Sequence, residues 1–476
     1  MMTIIQKIQK QKQNMVVINF LMCFIYITIF IVVTVAYSGK ISTVRRHRHR
    51  RGKLSPQQPS LHTKLQNCFT PTSILENICV LLTPKVDPSG ALAALVLIRL
   101  SKQLIALDNN KECNYIVDSD DNNVRLWNKG LENLVPCLTS SNWTASPRSL
   151  ELVVEGIKAA SVISRLLPNC LVINDNDDEQ IRNINDNIHH LLEKLHDEDE
   201  QLIHMIQPHQ LSGLKWSIDC IHLSTKDRDL SHQSLPLGLQ MAYDNLQLPF
   251  LVRPGFLMEK FSATTSLSSR HVNGNLDEHN LFTIASFVEE VDFQVDKIKT
   301  TTTNRVVTER RQTAWLGDEH VGNFDYSKKS MRRLPWSEVV ANVRDRLHNE
   351  TSHYYDGCLL NFYPDGDSAM RYHIDPEQGE RWDYETAVVS IGATRRFAFR
   401  SIIDDNSGGS GDRTSNGRKG LVAGDSKPHM FVLMNGDVVE MFNDCQERFQ
   451  HTVKTSELKG ESAPRVSLVF KKTLEG

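Results

Sequence analysis

The sequence predicts an α+β protein in which a hydrophobic N-terminal segment and an α-helical domain precede a strand-rich C-terminal part. Three observations lead to this prediction. Residues 15–37 carry no charge, 70–230 repeat apolar residues at helical spacing, and 354–476 alternate apolar and polar residues as strands do. With 476 residues, 40% of them hydrophobic and 23% charged, the chain has room for two or three folded domains.

Charge is unevenly distributed along the chain. The formal net charge is −3, yet the first 75 residues hold 11 Lys and Arg and no Asp or Glu, so the remainder carries −14. This excludes a uniformly basic nucleic-acid-binding protein, and any contact with phosphates has to come from a local patch. The nine cysteines include no C-x-x-C pair, so neither a structural zinc site nor a redox dithiol is indicated.

The uncharged segment has 23 residues, which is long enough to cross a bilayer as a helix. Lysines precede it and RRHRHRRGK follows it, so its C-terminal side is the more basic. If the span is retained, this charge difference places the residues after it on the cytoplasmic side of the membrane. The alternative is a cleaved leader, with AYSG as the peptidase site and the Arg-rich stretch as an organelle transit peptide. We expect a basic N-terminus over 1–14, a membrane span over 15–37 and a basic disordered linker over 38–69.

Helix signals dominate 70–230. The segments FTPTSILENICVLL, DPSGALAALVLIRLSKQLIAL, SPRSLELVVEGIKAASVISRLL and HQLSGLKWSIDCIHL each carry a Pro, Ser or Asp near the start, with apolar residues at helical spacing after it. The separations between them are unequal, so a small packed domain and an irregular RNA- or protein-binding array both stay open. From about residue 245 the pattern becomes extended, in LPFLVRPGFL.

Residues 297–347 form a basic stretch within an otherwise acidic chain. They hold 11 Lys and Arg against six Asp and Glu, and aromatic residues are interleaved with the cations in RRQTAWLGD and GNFDYSKKSMRRLPW. Bases stack on such rings while cations hold phosphates, each stacked base being worth roughly 1–3 kcal/mol. The alternative is an ordinary solvated basic loop.

Three residues in the strand-rich part predict a metal site. In NFYPDGDSAMRYHID, His373 and Asp375 alternate with Ile374, so an extended strand would turn both side chains to one face. His451, in FQHTVK, supplies a second imidazole. Two imidazoles and one carboxylate on one side of a metal are typical of non-haem Fe(II) oxygenases, which keep positions open for a co-substrate and dioxygen. Zinc hydrolases usually use a helical HExxH, which this sequence lacks.

The last predicted strand, PRVSLVFKKT, places two cations on one face. Alternation turns Arg465, Ser467, Val469 and Lys471 to the same side. The two cations are about 20 Å apart along an extended strand, and a small dicarboxylic acid would fit between their inward-leaning side chains. The alternative is an edge strand with solvated charges. Before this strand, the Gly-, Ser- and Asp-rich residues 401–428 predict a mobile surface insertion between two strands.

The order of NFYPDG, HID, AVVSIGATRRFAFR, FQH and PRVSLVFK resembles the AlkB family of Fe(II)/2-oxoglutarate dioxygenases, and it is most similar to the eukaryotic homologues that repair alkylated DNA and RNA. The resemblance covers 354–476 and, more loosely, the chain from about Pro249. It implies a double-stranded β-helix, a jelly roll, over 354–476, preceded by an entry segment and nucleotide-recognition lid over 245–353.

The resemblance also implies roles for individual residues. The iron ligands would be His373, Asp375 and His451. The residues that bind 2-oxoglutarate would be Asn361, Tyr363, Arg465, Ser467 and Lys471. Lys471 stands where the family usually has an arginine and Ser467 where it usually has an asparagine, and a lysine lacks the planar two-pronged donor of an arginine.

For the substrate, the resemblance implies contacts from the lid and from the segment after the iron aspartate. The candidates for contacting or lying near an unpaired base are Trp315, Tyr326 and Glu377. The candidates for positioning the nucleic-acid backbone are Arg310, Arg311, Lys328, Lys329, Arg332 and Arg333. Pro376 replaces the acid that other members place after the iron aspartate, so the base preference stays open.

The implied activity is oxidative demethylation of alkylated nucleobases in DNA or RNA, such as 1-methyladenine or 3-methylcytosine. It uses Fe(II), 2-oxoglutarate and O2 and releases formaldehyde, succinate and CO2. We expect a monomer that binds nucleic acid, is attached to a membrane through 15–37 and has its catalytic part on the cytoplasmic side. The alternatives are an oxygenase acting on a protein or lipid, and an RNA-binding helical protein with an inactive barrel.

Overall fold

The computed structural model describes residues 90–109, 134, 147–170, 185–190, 192–193, 205–223, 235–257, 282–295, 297–299, 306–326, 329–402, 427–456 and 463–474. The N-terminal segments predicted over 1–69, the proposed membrane span among them, lie outside these residues, and so does most of the predicted insertion. Among the helices that the structure describes, none is long and apolar enough to cross a membrane. All described residues belong to one compact unit, Leu61–Gly476.

Helices come first in the described chain. They are α1 (Gly90–Asn109), α2 (Pro147–Cys170), α3 (Pro208–Leu223) and α4 (Leu237–Asp244). The first three match predicted apolar-periodic segments, while the predicted helix FTPTSILENICVLL lies outside the described residues. α1 packs on α2 and α2 on α3, because each helix contributes an apolar stripe to one core. The predicted division of the chain into separate domains stays a prediction.

Strands follow the helices. In chain order they are β1 (Phe250–Arg253), β2 (Lys297–Lys299), β3 (Val306–Thr308), β4 (Gln312–Gly317), β5 (Phe324–Tyr326), β6 (Lys329–Met331), β7 (Arg333–Leu334), β8 (Gly357–Tyr363), β9 (Trp382–Gly392), β10 (Arg395–Ser401), β11 (His429–Leu433), β12 (Val438–Met441), β13 (Phe449–Val453) and β14 (Arg465–Thr473). Three further α-helices are described among them: α5 (Ile284–Glu290), α6 (Glu338–Thr351) and α7 (Cys445–Arg448).

Two facing sheets form the C-terminal part. The larger has the strand order β1-β12-β9-β14-β8-β4-β7, antiparallel except for the β4–β7 pair. The smaller has the order β11-β10-β13 and is antiparallel. Two further hairpins, β2–β3 and β5–β6, lie within the predicted lid region. This mixed α/β architecture with a large antiparallel sheet fits the predicted jelly roll of a 2-oxoglutarate oxygenase.

Strand alternation divides the larger sheet into two faces. On β14, Val466, Leu468 and Phe470 point into a core that α5 and α6 cover. The alternate residues Ser467, Val469 and Lys471 point between the sheets and line a cleft. The polar residues of the last strand therefore lie on an inner face, which excludes the alternative of a solvated edge strand.

The helices share a core with the smaller sheet. Trp216 of α3 lies 6.4 Å, between ring centroids, from Phe431 of β11. Phe431 in turn packs edge-on against Phe250 of β1. The helical segment thus packs where an edge strand of each sheet comes together.

Candidate metal centre and co-substrate cleft

Three side chains from two distant segments meet at one wall of the cleft: His373, Asp375 and His451. One ligand atom of each lies within 4.8 Å of the others. Asp375 Oδ1 is 3.6 Å from Nε2 of each histidine. Two nitrogens and one carboxylate oxygen at these separations fit one divalent ion, and they are the ligand set of a non-haem Fe(II) site. The structure thus brings together the three residues predicted as iron ligands.

Backbone pairing explains why the two histidines are adjacent. The N–H of His373 donates to the carbonyl of His451 at 3.1 Å, and the reciprocal bond is 2.9 Å long. His373 therefore joins the smaller sheet through a single bridge and does not belong to an extended strand of the kind that the alternation predicted. The N–H of Asp375 donates to Gln446 Oε1 at 2.8 Å, which fixes the backbone that carries the carboxylate.

The protonation states suit metal binding. The Nδ1–H of His373 donates to the carbonyl of Arg371 at 2.9 Å, so Nε2 keeps its lone pair. Burial lowers the pKa of His373, and burial together with the charge of His373 lowers the pKa of His451 to about 3. Both imidazoles are therefore neutral at pH 7. Burial alone would raise the pKa of Asp375, but Lys471 and the two histidines outweigh it and hold that pKa well below its usual range.

Lys471 contacts the iron aspartate. Its Nζ donates to Asp375 Oδ2 at 2.8 Å and to Gln378 Oε1 at 3.2 Å. An ammonium has three N–H groups, so one remains for a ligand in the cleft. Lys471 is buried and lines the same cleft as the metal ligands and the other predicted co-substrate residues.

A cleft that is open to solvent lies between the sheets. Four of the five residues predicted to bind 2-oxoglutarate line it, together with apolar side chains. These four are Asn361, Tyr363, Ser467 and Lys471.

Arg465, the fifth, is not among the cleft-lining residues and is completely buried. Its Nη1 donates to Ser390 Oγ at 2.5 Å and to the carbonyl of Ala393 at 3.4 Å, while Nε and Nη2 have no hydrogen-bond partner among the residues that the structure describes. Burial lowers its pKa to about 10, so the guanidinium stays charged at pH 7. A buried cation with two unused donors fits the carboxylate of a bound keto acid, because an unpaired buried charge is otherwise costly.

Arg311 has a different environment from the one predicted. We expected it to position a nucleic-acid backbone, but its side chain is buried and lines the cleft. Its Nη1 donates to Asn361 Oδ1 at 2.9 Å, and Nη2 lies 3.2 Å from Glu309. The prediction for Arg311 was wrong because its cation is already paired inside the fold, where it orients a residue of the co-substrate site.

Trp315 was also predicted wrongly as a base contact. It is only 1% exposed, and its indole packs against Phe324 and Trp382 at centroid distances of 4.8 and 5.4 Å. Its Nε1–H donates to the carbonyl of Gly322 at 2.9 Å. No face of the ring is left for a base, so Trp315 supports the lid from within. Phe324, which the sequence did not single out, lines the cleft instead.

The remaining substrate candidates stay predictions. Arg310 is 68% exposed and lies 3.7 Å from Asp367, so it is accessible to a partner. Glu377 is half-buried, 3.9 Å from Arg381, and is not among the cleft-lining residues. The backbones of Tyr326 and Lys329 belong to the β5–β6 hairpin, but their side chains, and all of Lys328, lie outside what the structure describes.

Gln378, Gln446 and Phe324 are site residues that sequence reasoning missed. Gln378 is three positions after Asp375 and Phe324 is an aromatic residue in the basic stretch, so proximity to a motif was their available signal. Gln446 carried none, because its contact with Asp375 spans 71 positions.

Comparison with known proteins agrees with this geometry. Residues 275–471 match the sequence profile described as the 2OG-Fe(II) oxygenase superfamily. An uncharacterized protein, R406, of Acanthamoeba polyphaga mimivirus is 25% identical over 197 residues, which cover 41% of this chain and 88% of that protein.

Two named relatives match shorter stretches. The human DNA oxidative demethylase ALKBH2 is 29% identical over 164 residues, covering 34% of this chain and 57% of that protein. The mouse alpha-ketoglutarate-dependent dioxygenase alkB homolog 3 is 34% identical over 91 residues, covering 19% of this chain and 31% of that protein. The chain thus spans less than two thirds of either of these relatives.

Proposed function

We propose that the AlkB-like 2-oxoglutarate/Fe(II) oxygenase domain formed by residues 275–471 demethylates alkylated nucleobases in DNA or RNA. The domain is that of a 2-oxoglutarate- and Fe(II)-dependent dioxygenase. The observation that carries the proposal is the meeting of His373, Asp375 and His451 in a cleft that also holds the predicted co-substrate residues. The name of the human relative, DNA oxidative demethylase, supports a nucleic-acid substrate.

The residues of this chain would divide the work as follows. His373, Asp375 and His451 would hold the iron, and Arg465 would hold the distal carboxylate of 2-oxoglutarate. When bound, iron and 2-oxoglutarate supply the oxidising power for hydroxylation of a methyl carbon on a base nitrogen. The hydroxymethyl adduct would then lose formaldehyde and leave the unmodified base.

Apolar side chains would exclude water from the reaction. The cleft is lined by Phe324, Leu359, Met370, Val388 and Phe397. Phe324 is held in place by its packing against two tryptophans, so it would present a fixed aromatic wall to a base. The protein would thus orient the methyl group in a dry pocket, and the exposed cations of the lid would bind phosphates.

The test uses the full chain and methylated oligonucleotides. Single- and double-stranded DNA and RNA carrying 1-methyladenine or 3-methylcytosine are incubated with Fe(II), 2-oxoglutarate and oxygen, and formaldehyde is measured. We expect formaldehyde from at least one strand, and none from a His451→Ala variant. Succinate formation without formaldehyde from any strand would contradict the nucleobase proposal and indicate an oxygenase of another substrate.

We also propose membrane attachment through residues 15–37. The support is their uncharged length and the basic residues that flank them. Expressed in cells, the full chain should remain in the membrane pellet after alkaline extraction. Release of the full chain into the supernatant would contradict the proposal.

A further inference from the structure

Helix α1 contacts a turn that holds Arg465. Asn109, its last residue, uses Nδ2 to donate to the carbonyl of Thr394 at 3.2 Å, and the N–H of Thr394 donates back to Asn109 Oδ1 at 2.7 Å. Both residues are buried. Thr394 follows Ala393, whose carbonyl accepts a hydrogen bond from Arg465. The α1 end therefore clamps the β9–β10 turn at the position where that turn supports the arginine.

Helix α2 contacts a second turn behind the same arginine. Arg165 binds Asp437, between β11 and β12, with both terminal nitrogens, at 2.7 and 3.0 Å. The carbonyl of Asp437 accepts from the N–H of Ser390 at 2.8 Å, and Ser390 Oγ accepts from Arg465. Asp437 is completely buried. Two helices thus contact the two turns that hold the hydrogen-bond partners of Arg465.

The charges explain why Arg465 keeps free donors. Asp437 contributes to the electrostatic environment of Arg465, but its two oxygens are taken by Arg165 and by the N–H groups of Gly255 and Met434. Arg465 is left with a hydroxyl and a carbonyl as partners. Because its counter-charge is committed elsewhere, the guanidinium is available to an anion entering the cleft.

We propose that α1 and α2 belong to the co-substrate site, with Asn109 and Arg165 as positioning residues that aim Arg465 at the distal carboxylate of 2-oxoglutarate. Both residues lie outside 275–471, the region that matches the oxygenase superfamily. The proposal rests on the 2-oxoglutarate dependence of the domain and not on its nucleic-acid substrate. It gives the helical segment a role in the reaction, in addition to covering the sheet edges.

The test compares two keto acids that differ at the distal end. 2-Oxoglutarate carries the distal carboxylate, and 2-oxobutyrate has the same keto-acid head without it. Binding of each to the full chain, loaded with Mn²⁺ and kept free of oxygen, is measured by calorimetry. Asn109→Ala should weaken 2-oxoglutarate binding about tenfold, the loss expected when a buried charged hydrogen bond is misaligned. Binding of 2-oxobutyrate should not change, so discrimination between the acids shrinks.

Ser212→Ala is the matched control. Ser212 of α3 makes a buried hydrogen bond of 2.8 Å to His429 of β11, but it contacts neither turn behind Arg465. This variant should lose stability without changing discrimination between the acids. If Asn109→Ala does not fold, Arg165→Lys tests the same point, because it keeps the charge beside Asp437 and loses the two-pronged contact.

Two results would overturn the proposal. One is that the Asn109 and Arg165 variants bind both acids more weakly by the same factor, or bind both as tightly as the native protein does. The other is the same loss of discrimination in Ser212→Ala, which would indicate a general loosening of the fold. Absence of formaldehyde from methylated strands would contradict the nucleobase proposal alone, since keto-acid binding is measured without any nucleic acid.

Discussion

Replacing Lys471 with methionine should destabilise the metal-free protein and make metal binding more stabilising. Lys471 is 1% exposed, and its Nζ lies 2.8 Å from Asp375 Oδ2. Without the ammonium, Asp375 keeps its charge in a buried position with only two neutral imidazoles beside it. Methionine has a similar length, so the substitution removes the charge and leaves most of the packing.

The expected loss follows from the burial of the pair. Removing one partner of a buried ion pair costs about 3–5 kcal/mol, because the other charge stays out of water. For a chain of 476 residues, each kcal/mol shifts the melting temperature by about 1 °C, so the metal-free variant should melt about 3–5 °C lower. A divalent ion supplies a new counter-charge to Asp375. Mn²⁺ should therefore raise the melting temperature more in Lys471→Met than in the native protein.

Thermal unfolding with chelator and with Mn²⁺ measures both effects. Lys472→Met is the control, since the neighbouring lysine is 44% exposed and lies 3.8 Å from Asp383. An exposed pair of this kind contributes about 0–1 kcal/mol, so this variant should melt close to the native protein in both conditions. The reasoning is refuted if Lys471→Met melts like Lys472→Met without metal, or if Mn²⁺ stabilises both variants equally.

Three further outcomes are expected. Trp315→Ala should lower the free energy of unfolding by about 3–5 kcal/mol, measured by thermal unfolding, because it empties a core position. The milder Trp315→Phe should leave oligonucleotide affinity unchanged. A large loss of affinity in Trp315→Phe would instead support Trp315 as a base contact. Arg310→Gln should weaken oligonucleotide binding and reduce the slope of the logarithm of the binding constant against the logarithm of the salt concentration by about one. An unchanged slope would contradict a phosphate contact by Arg310. Arg311→Gln should instead raise KM for 2-oxoglutarate, since this guanidinium binds Asn361; an effect on oligonucleotide binding alone would contradict that role.

Much of the site could be predicted because its residue types are constrained by chemistry. The chain holds 18 histidines, so the choice of ligands depended on the His-x-Asp spacing and on the family resemblance. Strand alternation on β14 predicted which of its side chains would face the same way. The extended strand predicted around His373 is not formed. A single bridge to His451 replaces it, because pairing there depends on a partner 78 positions away.

The basic stretch shows where sequence reasoning fails. Both faces of β4 are buried, so the alternation of its side chains does not distinguish the face toward the cleft from the face toward the core. Trp315, an aromatic residue among cations, was therefore predicted as a base contact. Trp315 lies in the core because Phe324 and Trp382, one of them 67 positions distant, pack against it. Arg311 is buried because Glu309 and Asn361 satisfy its charge and donors.

The sequence by itself determined the metal-ligand types, the inward face of the last strand and the helical character of Gly90–Asn109, Pro147–Cys170 and Pro208–Leu223, because periodicity and ligand chemistry are local properties of the chain. Tertiary structure alone decided which cations face the cleft, which aromatic side chain lines it, and that Asn109 and Arg165 hold the turns behind Arg465. Those contacts join residues more than 270 positions apart. Which distant groups satisfy a buried charge is set by packing, and no local pattern encodes it.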